Sequence, residues 1–331
     1  MGKKRLRKIR NRNNDTKKKV QVSPQEIVPK DIRRTKQDNV FLEFYDKNYK
    51  MLLIIPFVIL ILALGQIAFQ TITTGEFISR GVSLTGGITV TIPTDKTFDT
   101  ANLKTQLLNQ MPGRDIEIRV LKSAGTQTAV IIESDISDIE NTNEFVDLVE
   151  KETGISQDDY NLDVMGSSLG ESFFKEIMFA LVIAFIFMGV VVFLYFRTLV
   201  PSAAVILAAF SDMVVTVAVV NIMEIKLSTA GIAAFLMLIG YSIDTDILLS
   251  TRLLKRKDGT VFERVIQSAK TGLTMNFSTM SAIIVILIFS NSEVLTQIMT
   301  ILLIGLTIDI INTWIQNVGI LRLYLERKKS E

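Results

Sequence analysis

Residues 199–220 read LVPSAAVILAAFSDMVVTVAVV, a run in which Asp212 is the only charged residue. A bilayer core is crossed by roughly 20 predominantly apolar residues in helical form, so this stretch is predicted to be a membrane span. Pro201 falls in its first turn, where a missing N–H costs least. Working outward, five further runs of the same kind lie at about 51–70, 174–196, 227–250, 272–290 and 295–320. Each must satisfy its own backbone hydrogen bonds in hydrocarbon, which leaves helices as the only form available. The chain is therefore read as a membrane all-α bundle of six transmembrane helices.

The stretch 71–171 is of another kind. It carries seventeen Asp/Glu against seven Lys/Arg. Ile88, Val90 and Ile92 alternate with threonines, as a half-buried strand does. Asp99 is placed to cap a helix bearing Leu103, Leu107 and Leu108, which stops at Pro112-Gly113. Ile116, Ile118 and Val120 give a second strand and Ala129–Ile132 a third, with a turn at Ala124-Gly125 between them. A helix from about Asp138 to Gly154 and a strand through Tyr160, Leu162 and Val164 complete the order βαββαβ. That order predicts an inserted α+β, ferredoxin-like extracytoplasmic domain. The expected organisation is a basic cytoplasmic tail (1–50), a first span (51–70), the head (71–171), a five-helix membrane region (172–320) and a cytoplasmic C-terminal tail (321–331).

Orientation follows from charge. Residues 1–50 hold sixteen Lys/Arg. The 251–271 loop adds Arg252, Lys255, Arg256, Lys257, Arg264 and Lys270, and the C-terminal tail adds Arg322, Arg327, Lys328 and Lys329. The connections at 221–226 and 291–294 together contain one basic residue, Lys226. Positive-inside bias thus puts both termini on the cytoplasmic side of the cell membrane. The first apolar run starts too late for a secretory signal. The basic tail is expected to be unstructured and drawn to anionic membrane lipid; no nucleic-acid module accompanies it. Cysteine and histidine are both absent. That excludes disulfides, thiolate metal sites and thiol nucleophiles, and proton chemistry near neutral pH falls to carboxyls. No metal site or cofactor is expected.

Ionisable groups inside a span are functional candidates by default. Asp212 lies mid-span with Thr216 one turn on. Asp309 starts a stripe of Asn312, Thr313, Gln316 and Asn317 along the sixth span. Ser242, Thr245, Asp246 and Ser250 form another in the fourth, and Asn276 and Thr279 share a face of the fifth. Such stripes also serve as interhelical glue. The carboxyls stand apart, because burial favours the neutral form of a carboxyl and lets it exchange a proton near neutral pH. Asp212 is the first candidate for proton coupling, followed by Asp309. Asp244 and Asp246, about 200° apart on a helix, cannot face one pathway together. Arg252 is a candidate carboxylate partner or a positive-inside anchor.

Several motifs tie this pattern to a known family. Gly240-Tyr241-Ser242-Ile243-Asp244-Thr245-Asp246, followed by Arg252, resembles the Gly-Tyr-Ser-(Ile/Leu)-Asn-Asp-Thr…Asp-Arg segment of SecF proteins, particularly their archaeal branch. Asp212 matches that family's intramembrane aspartate. Gly81-Val82-Ser83-Leu84-Thr85-Gly86-Gly87 is similar to the Gly-(Ile/Leu)-Asp-Phe-x-Gly-Gly motif that opens the SecD and SecF heads. Gly166-Ser167-Ser168-Leu169-Gly170 resembles the Val-Gly-Pro-x-Leu-Gly motif before the second span. Ser83 stands where aspartate is usual, and Asp244-Thr245-Asp246 replaces Asn-Asp-Thr.

The resemblance implies an accessory of protein export, partnered by SecD and the Sec translocation channel. Its head would handle translocating polypeptide and move in response to proton flow. Gly86-Gly87 and Gly166/Gly170 flank the head as candidate hinges. No nucleotide loop or catalytic dyad can be assembled, so transport assistance is expected rather than an enzyme. The alternatives are a scaffold without ion coupling and a small exporter of the resistance-nodulation type.

Overall fold

The computed structural model describes residues 36–330 except 97, 124, 125, 157, 158, 257 and 291. Most of the basic tail and the Ala124-Gly125 turn lie outside the described residues. Where the tail was expected to lack structure, Lys36–Lys47 is helical (α1). No glycine or proline interrupts that segment, and its Leu42 and Tyr45 share one helical face.

Six helices are long and apolar enough to cross a membrane. They are α2 (Tyr49–Thr74), α6 (Ser167–Phe196), α7 (Leu199–Ile222), α8 (Thr229–Lys255), α9 (Val261–Phe289) and a sixth, Val294–Lys328. The sixth is built from α10 (Glu293–Ile311), a π-helical turn Asn312–Asn317 and α11 (Val318–Ser330). The helix thus runs past the expected boundary at 320. Capping fixes several starts. Ser228 accepts from the Gly231 amide, and Thr260 with Glu263 forms a reciprocal capping box ahead of α9.

Between α2 and α6 lie a short helix α3 (Val82–Thr85), β1 (Gly87–Pro93), α4 (Thr100–Gln110), β2 (Ile116–Ser123), β3 (Thr126–Ser134), α5 (Ile139–Thr153) and β4 (Asn161–Met165). The strands form one antiparallel sheet in the order β2-β3-β1-β4. Alternation along β1 buries Ile88, Val90 and Ile92. These pack with Val130 and Ile132 of β3 against Leu103 and Leu107 of α4 and Phe145 and Val149 of α5. Asp99 caps α4 by accepting from the Asn102 amide at 3.1 Å. Its replacement by alanine is expected to cost ~1 kcal/mol of head stability, read as a small drop in the thermal midpoint of the detergent-solubilised chain.

The head sits on the bundle through backbone contacts. The Gly81 amide donates to Leu227 O at 2.8 Å and the Leu227 amide to Ser79 O at 2.7 Å. Asn221 at the end of α7 donates to Phe77 O at 2.9 Å, and Lys226 pairs with Glu117 of β2. The residues between α2 and the head are therefore bonded to the α7–α8 connection.

Candidate functional site

Three of the five sequence-derived ionisable candidates converge inside the bundle. Asp212 (α7), Asp246 (α8) and Asp309 (α10) are each 0% exposed. The pattern that placed Asp212 among small apolar residues explains this: Ala204, Val205, Ala208 and Ala209 let neighbouring helices approach closely. Asp212 accepts from Ser242 Oγ at 2.5 Å and from Asn312 Nδ2 at 2.8 Å. Asp309 accepts from Asn276 Nδ2 at 3.0 Å and Thr313 Oγ1 at 3.1 Å. Asp246 Oδ1 accepts from Asn317 Nδ2 at 2.7 Å, while its Oδ2 has no hydrogen-bond partner among the described residues. Thr245 Oγ1 lies 3.5 Å from Asn276 Oδ1, which joins the α8 side to the Asp309 side.

All of these donors are neutral. Among the described residues no lysine or arginine pairs with the three carboxyls. An isolated buried charge costs far more than neutral hydrogen bonds return, so the charge state of this cluster bears directly on bundle energy. Asp212 and Asp246 each feel Asp309 as an electrostatic neighbour.

The π turn organises the cluster. In an α-helix, residues five apart are about 140° apart. The i→i+5 pattern of a π turn brings them towards one face, so Asn312 and Asn317 both point at carboxyls. Asp309, Asn312 (to Asp212) and Asn317 (to Asp246) follow in order down this one helix. Gln316 reaches Ser211 Oγ at 3.2 Å. Gly272 of α9 leaves room for the Trp314 ring, which a Cβ at that position would strike.

The other candidates lie elsewhere. Asp244 is exposed on the outer side of α8. Arg252 donates to Gln267 O at 2.8 Å and Thr271 Oγ1 at 2.9 Å, stitching α8 to α9 rather than meeting a carboxylate. Thr216 donates to the Asp212 backbone carbonyl at 2.6 Å and not to its carboxyl. In the Gly240-Tyr241-Ser242 motif only Ser242 enters the cluster; Tyr241 is 40% exposed and Gly240 is exposed beside it. The head-flanking glycines meet at one seam. A Cβ on Gly170 would lie 2.7 Å from the Gly86 amide nitrogen and 3.1 Å from two further backbone carbons of α3. Gly86 and Gly87 have φ of 88° and 136°. Gly81 is held by its bond to Leu227, and Gly166 has open space around it.

Six apolar helices, an inserted antiparallel-sheet domain and a buried carboxyl cluster define a multi-pass membrane protein with ionisable chemistry at its centre. The family model described as protein export membrane protein SecD/SecF, C-terminal, matches residues 146–327. Protein-export membrane protein SecF of Pyrococcus furiosus is 36% identical over 302 residues, covering 89% of this chain and 98% of that one. SecF of Methanocaldococcus jannaschii is 37% identical over 297 residues, covering 86% and 99%. This chain belongs to the SecF family of protein-export membrane proteins. Among solved structures it resembles SecDF of Thermus thermophilus, a translocon-associated membrane protein, with a TM-score of 0.67 at 17% identity. The alignment covers 87% of this chain and 38% of that one. SecDF in a super-membrane-facing form gives 0.56 at 18% identity, covering 86% and 39%. At such identities the likeness is one of fold, and this chain spans less than half of those longer chains.

Proposed function

We propose that this chain is an accessory subunit of the Sec machinery that works with a SecD-type subunit and drives export with protons crossing the membrane. The cluster of Asp212, Asp246 and Asp309, held by neutral donors alone, carries this reading. Each proton gained or lost changes the cost of a buried charge by several kcal/mol, enough to reweight two packings of a helix bundle. Charge bias supports an orientation with both termini in the cytoplasm and the head outside. The three buried carboxyls then lie between the two sides of the membrane, where a proton path would have to pass.

The head is read as ferredoxin-like on its βαββαβ order and its β2-β3-β1-β4 sheet. Its motion is coupled to the bundle through the Gly86/Gly170 seam and the bonds to Leu227. The substrate is unfolded polypeptide, and the work is transport rather than bond-making.

The test is export of a secreted reporter in cells carrying Asp212→Asn at matched levels of protein. Asparagine keeps shape and hydrogen bonding but carries no proton. The expected result is export at the level of cells lacking the chain, with the SecD-type complex intact. Normal export would remove Asp212 from the coupling path and favour a scaffold.

A further inference from the structure

We infer that the Asp246 end of the carboxyl cluster is a sodium-ion site, with Asp246 Oδ2, Asn317 Oδ1 and Ser250 Oγ as its protein ligands. The site shares a residue with the proposed coupling path but does not depend on protons moving along it.

The orphaned oxygens come first. Ser250 is 0% exposed, and its hydroxyl meets no hydrogen-bond partner among the described residues. It stands four residues after Asp246, so the two side chains share one face of α8. Asp246 Oδ2 is orphaned in the same way. Asn317 gives its Nδ2 to Asp246 Oδ1 at 2.7 Å, which holds its own Oδ1 beside that carboxyl, and this oxygen also has no partner. Gln316, the preceding residue, gives its Nε2 to Ser211 and leaves its Oε1 without one. Buried polar atoms are nearly always paired, so four orphans on two adjoining stretches of helix call for an occupant.

Their chemistry defines it. Every orphan is an oxygen, and only the Ser250 hydroxyl can donate as well as accept. One water molecule has two hydrogens to give, and it brings no charge to meet a carboxylate. A hard cation satisfies several oxygens at once. The chain's own cations are turned elsewhere. Arg252 bonds to Gln267 and Thr271, and Arg264 to the Leu253 and Arg256 carbonyls. Arg322 lies over the Tyr49 ring, 4.1 Å from its centroid.

Charge and backbone narrow the choice. Among the described residues no three acidic side chains gather closely enough to hold a metal ion. Calcium sites are built on several carboxylates, and a divalent ion beside one carboxylate would leave surplus charge in a buried place. One carboxylate among neutral oxygens matches a single positive charge. The close Asp246–Asn317 contact favours sodium over the larger potassium ion. The π turn Asn312–Asn317 interrupts the sixth span at this point. Such turns gather at functional sites, and interrupted membrane helices are where transporters hold sodium.

Binding of radiolabelled sodium to the full chain, solubilised in detergent, tests the site. Unlabelled NaCl is expected to displace the label at concentrations about tenfold below those needed with KCl. The thermal midpoint should also be higher in NaCl than in KCl at equal ionic strength, because a ligand of the folded chain stabilises it. Ser250→Ala removes one oxygen and leaves the carboxyl in place; it is expected to weaken binding about tenfold. Asp246→Asn should abolish binding, and Asp244→Asn, on the exposed side of α8, should bind as the parent does. No saturable binding, equal displacement by the two salts, undiminished binding in Asp246→Asn or equal loss in Asp244→Asn would each overturn the site. Binding is read without export, so the two readings fail separately. Normal export with Asp212→Asn removes proton coupling and leaves sodium binding as measured, whereas a chain indifferent to sodium loses this site alone.

Discussion

Gly170→Val is expected to prevent stable docking of the head on the bundle. Even an alanine Cβ there would sit 2.7 Å from the Gly86 nitrogen and 3.1 Å from the carbonyl carbons of Leu84 and Thr85. Every neighbour is backbone, so no side-chain rotation relieves the contact. Overpacking of a core commonly costs 1–3 kcal/mol, and a rigid backbone seam puts valine at or beyond ~3 kcal/mol. Relief would require α3 to move away from α6, dragging Leu84 out of the cluster it shares with Ile78 and Leu227. Thermal unfolding of the purified chain, and limited proteolysis between residues 71 and 87, are the measurements. The variant should melt many degrees lower and be cut in that linker. A midpoint within a degree or two of the parent would mean that the seam is not tightly packed. Gly166→Ala, with open space around it but at the N-cap of α6, should cost no more than ~1 kcal/mol and leave the linker uncut.

What the sequence made legible follows from how each signal arises. The spans are visible because hydrocarbon demands long uninterrupted apolar runs, and Leu199–Ile222 supplies one. The head strands are visible because one buried face forces period-two alternation, as at Ile88, Val90 and Ile92. The glycine seam is visible only as a motif, because a close approach between residues 86 and 170 leaves no local pattern beyond the glycines. The grouping of Asp212, Asp246 and Asp309 also lies beyond a one-dimensional reading. Counting along separate helices sets Asp212 and Asp309 at different depths, and nothing in the count says that Asn312, one turn below Asp309, turns its amide to Asp212. The π turn escapes for a related reason. Polar residues at 312, 313, 316 and 317 fit an ordinary helical stripe, and the extra residue per turn emerges only from packing against Ser211, Asp212 and Asp246. Asp246 could be separated from Asp244 by helical angle and by its place in the polar stripe of Ser242, Thr245 and Ser250, the face that the structure buries.

Neutralising the cluster should pull stability and function in opposite directions. Asp246 has one amide donor and an unpartnered Oδ2 in a fully buried site. Its ionised form is poorly compensated, and an unpaired buried charge is costly, so a neutral amide in its place is expected to be neutral or stabilising. Asp246→Asn keeps the side-chain shape and an oxygen for Asn317, so packing should survive. The variant is expected to melt at or slightly above the parent, since ~1 kcal/mol moves the midpoint by roughly 2–4 °C for 150–250 residues and by less in a longer chain. Export of the reporter should nevertheless fall to background, because an amide cannot exchange a proton. Asp212→Asn should lose export similarly with less gain in stability, since Ser242 and Asn312 already satisfy that carboxyl. Carboxyls kept purely as interhelical glue predict the reverse: Asp246→Asn would melt lower and export would track the amount of folded protein. Thermal midpoint and export measured on the same preparations decide between them, because only a site retained for proton exchange gains stability as it loses function.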